Sequence, residues 1–201
     1  MRSRVLFGTF VVGTLTAAQS SLAAVALQAS GPAASASAPS SHLGTFPPHA
    51  ASCIRKHLNP QVLRDAVAVA PDPGATLASF ERHVRSIDSA ADKCGFAATE
   101  QGGEQLGSIV TNLALKEWSE GRLRTEFSVS PDQLSAAMKE IPQRDVATIG
   151  ALDGPRMSDT QKERLADVLP QVAAKLGLRD QKASALLAAY VLSAARLAPF
   201  E

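Results

Sequence analysis

The chain has 201 residues, of which 45% are hydrophobic, 19% charged and 4% aromatic, and its formal net charge is +1. This length allows one well-buried core or two small ones. Setting aside Arg2 and Arg4, which lie in a predicted leader, leaves 18 of the 20 basic residues against 19 acidic ones, a net charge of −1. Binding to nucleic acid needs a basic face, so the sequence predicts no nucleic-acid partner.

Residues 1–24 have the three parts of a secretory signal peptide. Arg2 and Arg4 give a positively charged start, an apolar run follows from Val5 to Leu15, and Ser21-Leu22-Ala23 forms a small-x-small cleavage site. Interspersed glycines, threonines and serines make the segment too polar for a good span of the ~20 apolar residues that a bilayer requires. The sequence therefore predicts cleavage and a periplasmic or secreted protein, with no stable membrane insertion after cleavage.

Residues 25–48 consist mainly of alanine, serine, glycine and proline and carry almost no charge. Such a segment buries too little apolar area to offset its ordering entropy, which predicts a disordered linker. Good helix formers dominate the remainder. For residues 49–201 we predict an all-α domain, a bundle of about six helices, whose halves 49–121 and 130–201 form either one core or two.

The stretch from Thr76 to Gly95 is the central element of this prediction. Its apolar residues recur at steps of three and four, which is typical of a helix with one buried stripe, and Gly95 can take the left-handed turn that ends it. The residues of that stripe are Leu77, Phe80, Val84, Ile87, Ala91 and Cys94.

Further helices are predicted on both sides of a short alternating segment. The pattern favours a helix from Glu104 to Ser119, whereas the period of two in Arg122–Val129 is typical of a half-exposed strand. Because no partner strand is evident, we expect this segment to be an extended connector. After it, Ser130 and Ser158 each begin a capping box that opens a helix.

Two more features mark the C-terminal part. Pro170 lies inside the helical pattern that follows Ser158, and it must kink or split that helix because proline lacks an amide hydrogen. Asp180 can cap a last helix that continues to about Leu197. Residues Ala183 to Ala195 contain no charge, which predicts a central buried helix.

The two cysteines are predicted to form one disulfide. An exported chain meets an oxidising compartment, where a pair of cysteines most simply joins. A bond between Cys53 and Cys94 would pin the start of the folded part to the end of the Thr76–Gly95 stretch.

A metal site is the alternative for the same region. His49, Cys53 and His57 are spaced four residues apart, so a continuous helix would bring them to one face as ligands for zinc or copper, with His83 as a fourth. A disulfide at Cys53 would remove its thiolate from this column. Solvated histidines are therefore the favoured interpretation.

Motifs of the common enzyme classes are missing from the sequence. There is no Gly-x-Ser-x-Gly, no His-Glu-x-x-His and no glycine-rich phosphate loop, and no cofactor is predicted. Two carboxylate pairs at helical spacing, Glu100 with Glu104 and Glu117 with Glu120, are typical of a solvated helix face. Catalysis from scattered residues stays open, and we expect a non-enzymatic binding or interaction protein.

The predicted binding site is an apolar groove beneath Pro170. A proline inside a helix leaves a backbone carbonyl without its amide donor and opens a gap in the packing. The groove is assigned to Leu169, Val172 and Tyr190. Its ligand is expected to be a small apolar molecule or a segment of another protein.

Overall fold

The computed structural model describes residues 49–70, 72–96, 100–151 and 157–201. These residues form nine α-helices and no strand, so the all-α prediction is confirmed. The predicted signal peptide (1–24) and linker (25–48) lie outside the described residues. The helices are α1 (Ala50–His57), α2 (Pro60–Val69), α3 (Pro73–Arg82), α4 (Val84–Lys93), α5 (Glu100–Phe127), α6 (Pro131–Lys139), α7 (Gln143–Gly150), α8 (Asp159–Lys175) and α9 (Gln181–Leu197), followed by a 3-10 turn, Ala198–Phe200.

Three helices begin where their caps were predicted. The Ser130 and Ser158 hydroxyls accept the backbone N–H groups of Gln133 and Gln161, and those glutamine side chains accept the N–H groups of the two serines in return. The Asp180 carboxylate accepts two N–H groups of α9. Each cap satisfies donors that a helix leaves unpaired at its start, so local chemistry sets these boundaries.

The predicted Thr76–Gly95 helix is wrong in one respect, because it divides at His83. The backbone of His83 leaves helical geometry (φ −114°, ψ 12°) between α3 and α4, while its ring contacts the Asp65 carboxylate of α2 at 2.8 Å. A tertiary contact therefore overrides the continuous pattern. Phe80 and Ile87 are nevertheless buried as expected, and Gly95 has the predicted positive φ, 75°.

The expected extended connector at Arg122–Val129 is also wrong, because α5 continues to Phe127. Leu123 is fully buried, Phe127 packs on the same cluster, and Arg122 forms an ion pair with Glu126 one turn away. The four-residue spacing of these pairs is that of a helix. The short alternation of apolar and polar residues in Arg122–Val129 did not distinguish a helix from a strand. The helix ends at Ser128, whose φ is 59°.

Two clusters of buried side chains fill the structure, and α5 runs through both. The first cluster contains residues of α1, α2, α3 and α4 and of the N-terminal part of α5. The second contains residues from the end of α5 and from α6, α7, α8 and α9. Leu197 and Phe200, from the end of α9 and the 3-10 turn, belong to the first cluster. The C-terminal half therefore supplies part of the core of the N-terminal half.

Two predictions about the last helices differ in outcome. Of the two effects expected of Pro170, a kink or a split, the split does not occur, because α8 is continuous from Asp159 to Lys175. By length and composition one described stretch, Gln181–Phe200, could cross a membrane, with a mean hydropathy of 1.4. However, 50% of its most apolar window is buried inside the fold, where α9 packs on α5, α7 and α8. This is the arrangement expected of a central core helix.

Candidate functional site

The Cys53–Cys94 disulfide is confirmed. It joins α1 to the residue that ends α4, with 5.8 Å between the two Cα atoms and a sequence separation of 41. Cys94 is 7% exposed and packs with the first cluster. Such a bond is typical of proteins from oxidising compartments.

The four predicted metal ligands do not come together. Cys53 is committed to the disulfide, the His49 ring contacts the Glu201 backbone oxygen, and His83 contacts Asp65. Within the described ranges, no three His, Cys, Asp or Glu side chains are arranged to hold a metal ion. The His49, Cys53 and His57 column of the sequence is therefore not assembled in the fold.

The His83 ring instead belongs to a polar cluster that links α2 to the α3–α4 junction. Hydrogen bonds from His83 and from the Gln61 amide lower the pKa of the Asp65 carboxyl below its usual value. The Gln61 carbonyl accepts two N–H groups of Arg64 (2.8 and 3.2 Å). The His83–Asp65 contact connects α2 to the α3–α4 junction, so we interpret this cluster as structural.

A groove is present at the position that Pro170 predicted. It has a volume of about 510 Å³ and lies between the C-terminal part of α8 and the start of α9. Its walls are mostly alanine and leucine side chains. The lining residues are Ala166, Leu169, Pro170, Ala173, Ala174, Gly177, Leu178, Arg179, Ser184 and Leu187.

Of the three residues assigned to the groove from the sequence, one lines it and two do not. Leu169 and Pro170 line it, but Val172 is 4% exposed and packs inward with the second cluster. Tyr190 lies about one turn beyond the groove on α9 and is not among its walls. Arg179 and Ser184 do line it, and they were missed because nothing in the local sequence shows that the start of α9 faces α8.

The polar groups of the groove are few and placed on opposite walls. Because Pro170 has no N–H, the Ala166 carbonyl lacks the donor that an α-helix normally supplies four residues on. The Ser184 hydroxyl donates to the Asp180 carbonyl at 3.1 Å, which leaves its oxygen free to accept. Arg179 forms no ion pair with any described residue. The lining residues thus include Ala166, whose carbonyl lacks its usual helical donor, together with a serine hydroxyl and an arginine.

Comparison of the chain with protein-family models, with curated proteins and with solved structures gives no match. Function is therefore inferred from the residues described above.

Proposed function

We propose that this chain is an exported, non-enzymatic binding protein that holds a small apolar ligand in the groove between α8 and α9. The groove itself carries this proposal. Its volume of about 510 Å³ lies in the range of small-molecule pockets, roughly 300–1,000 Å³, and its walls are mainly apolar. A small molecule fits this volume better than a partner helix, which needs a long continuous face.

Arg179 narrows the class of ligand. A guanidinium without an ion pair at the rim of an apolar groove favours a molecule that combines an apolar body with an anionic group. The apolar body would cover Leu169 and Leu187, while a donor on the ligand could reach the Ala166 carbonyl. We therefore expect amphipathic anions to bind more tightly than neutral molecules of equal size.

Blocking the groove should abolish this binding. Ala174 is exposed and lines the groove, so Ala174→Trp fills the space without entering the core. We expect this change to weaken binding of anilinonaphthalene sulfonate, an apolar anion, at least about tenfold, because the bulky ring occupies the ligand volume. Fluorescence titration of the folded chain measures the effect, with decanoate as competitor.

Gln171→Trp is the matched control. Gln171 is an exposed residue of the same helix that does not line the groove, so this variant adds the same ring elsewhere. It should bind the probe as the wild type does. Equal affinity in the wild type and in Ala174→Trp would contradict the proposed site, as would equal losses in the two variants.

Export is the second part of the proposal. The signal-like features of residues 1–24 and the Cys53–Cys94 bond both support a periplasmic or secreted location. The intact mass of the protein from the cell envelope should correspond to a chain that begins near Ala24 and lacks the two thiol hydrogens. A full-length mass, or two titratable thiols, would contradict export.

A further inference from the structure

The residues of α8 that line the groove follow one stripe of the helix. They recur at steps of three and four, so they lie on the same face along its length. These residues are Ala166, Leu169, Pro170, Ala173 and Ala174. At a rise of 1.5 Å per residue, the axial distance from Ala166 to Ala174 is about 12 Å. The groove is therefore elongated along α8.

One end of the groove is the turn that connects α8 to α9. The Gly177 N–H donates to the Ala174 carbonyl at 3.1 Å, and the Leu178 N–H donates to the Ala173 carbonyl at 2.9 Å. With Gly177 at a φ of 68°, this is a helix-closing turn that holds Leu178 against the last turn of α8. Arg179 follows directly, so the cation of the groove lies at this end.

The opposite end of the groove is marked by Ala166. Ala166 and Pro170 both line the groove, so the missing helical hydrogen bond lies between two lining residues. An apolar chain that covered the Ala166 carbonyl would desolvate an acceptor without supplying a donor, which is unfavourable. Between the two ends, the walls are apolar and include Leu169 and Leu187.

We propose that the groove selects a single-chain carboxylate of about ten carbons, with its head group at Arg179 and its chain along α8 toward Ala166. The assignment rests on the proposed function and adds the length and the orientation of the ligand. An extended chain advances about 1.2 Å per bond, so about 12 Å of groove corresponds to about ten bonds.

The charge of the groove favours a carboxylate as the head group. Arg179 is the one charged residue among the described residues that line the groove, so it balances a single negative charge. A carboxylate carries one charge and matches the planar guanidinium with two parallel hydrogen bonds. A phosphate monoester carries about −1.5 to −2 and would keep part of its charge unbalanced.

A series of n-alkanoates tests the length. Hexanoate to tetradecanoate, each below its micelle concentration, would displace anilinonaphthalene sulfonate from the folded chain. We expect the affinity to rise about fourfold with each added methylene up to about ten carbons, because each methylene becomes buried. Beyond that length the chain reaches the Ala166 carbonyl and solvent, and each methylene should add less than about 1.5-fold.

The head group is tested by comparing decanoate with 1-decanol, which has the same chain without the charge. Decanoate should bind the wild type about tenfold more tightly, and Arg179→Gln should remove this preference while keeping the gain per methylene. Arg124→Gln is the matched control, because Arg124 is an exposed arginine of α5 that does not line the groove. This variant should keep the preference of the wild type.

Ala166→Trp tests the orientation of the chain. Ala166 is exposed, so the ring fills the far end of the groove without entering the core. Decanoate should bind this variant at least about tenfold more weakly, whereas hexanoate, whose chain ends before Ala166, should bind as it does to the wild type. Ala174→Trp, nearer to Arg179, should weaken the binding of both. Circular dichroism confirms the fold of each variant.

Failure of this assignment is distinct from failure of the groove as a binding site. If Ala174→Trp leaves binding of the fluorescent probe unchanged, the groove itself is wrong. If the probe binds there, a gain that continues past twelve carbons, or equal losses of hexanoate and decanoate in Ala166→Trp, would overturn the length and orientation. Equal affinities of decanoate and 1-decanol, equal losses in Arg179→Gln and Arg124→Gln, or tighter binding of n-decyl phosphate would overturn the carboxylate at Arg179.

Discussion

Replacing Cys53 and Cys94 together by alanine is expected to lower the free energy of unfolding by about 4 kcal/mol. The bond closes a loop with a sequence separation of 41, and in the chain-entropy model a loop of that length restricts the unfolded chain by about this amount. For a domain of this size the melting temperature should fall by roughly 10 °C. Urea unfolding followed by circular dichroism measures the free energy directly.

The control for this result is the wild-type chain under reducing conditions. It keeps both sulfur atoms, so any packing lost with the alanines is retained, and only the covalent constraint is removed. Similar stabilities of the reduced wild type and the double variant would assign the effect to the constraint. A change of less than about 1 kcal/mol in both would contradict a stabilising role for this bond.

Gly150→Ala is expected to destabilise the fold by roughly 3 kcal/mol. Gly150 is the last residue of α7, and a Cβ atom there would lie 2.2 Å from the Ala195 carbonyl oxygen and 2.6 Å from its carbon. Both are backbone atoms of α9, so the clash can be relieved only by separating the two helices. Thermal and urea unfolding of the variant measure the loss.

A second glycine-to-alanine change provides the control of opposite sign. Gly107 lies inside α5, and a Cβ atom there would meet nothing within 4 Å. Gly107→Ala should therefore stabilise the protein by about 0.5–1 kcal/mol, because alanine loses less backbone entropy in a helix. Equal effects of the two substitutions would contradict the close α7–α9 approach.

The features that the sequence predicted correctly depend on neighbouring residues or on covalent chemistry. Ser130 and Ser158 were recognised as caps because their partners are three residues away. The disulfide followed from having only two cysteines in a chain that carries a signal-like leader.

The errors arise where distant residues decide the structure. The break at His83 depends on Asp65, which lies on another helix, and nothing in the 76–95 pattern shows it. The helical state of Arg122–Val129 depends on burying Leu123 against the second cluster, whereas the alternation of that segment suits a strand equally well. Short patterns leave both choices open until the packing partner is known.

The candidate groove likewise combines residues that the local sequence indicates with residues that only the packing brings in. Leu169 was assigned to the groove because it adjoins Pro170, but Arg179 and Ser184 come from the next helix. Tyr190 was also assigned to the groove, but it packs in the second cluster and is not among the residues that line the groove.

Leu197 and Phe200 belong to the first cluster, which consists otherwise of residues from α1 to α4 and the N-terminal part of α5. This has a consequence for biosynthesis. The N-terminal cluster cannot reach its final packing until these late residues have been synthesised, however early α1 and α2 emerge from the ribosome. An incomplete chain would keep apolar surface of that cluster uncovered throughout translation. Such a delay fits the export proposed above, because an exported polypeptide must stay unfolded while it is threaded through a translocation channel.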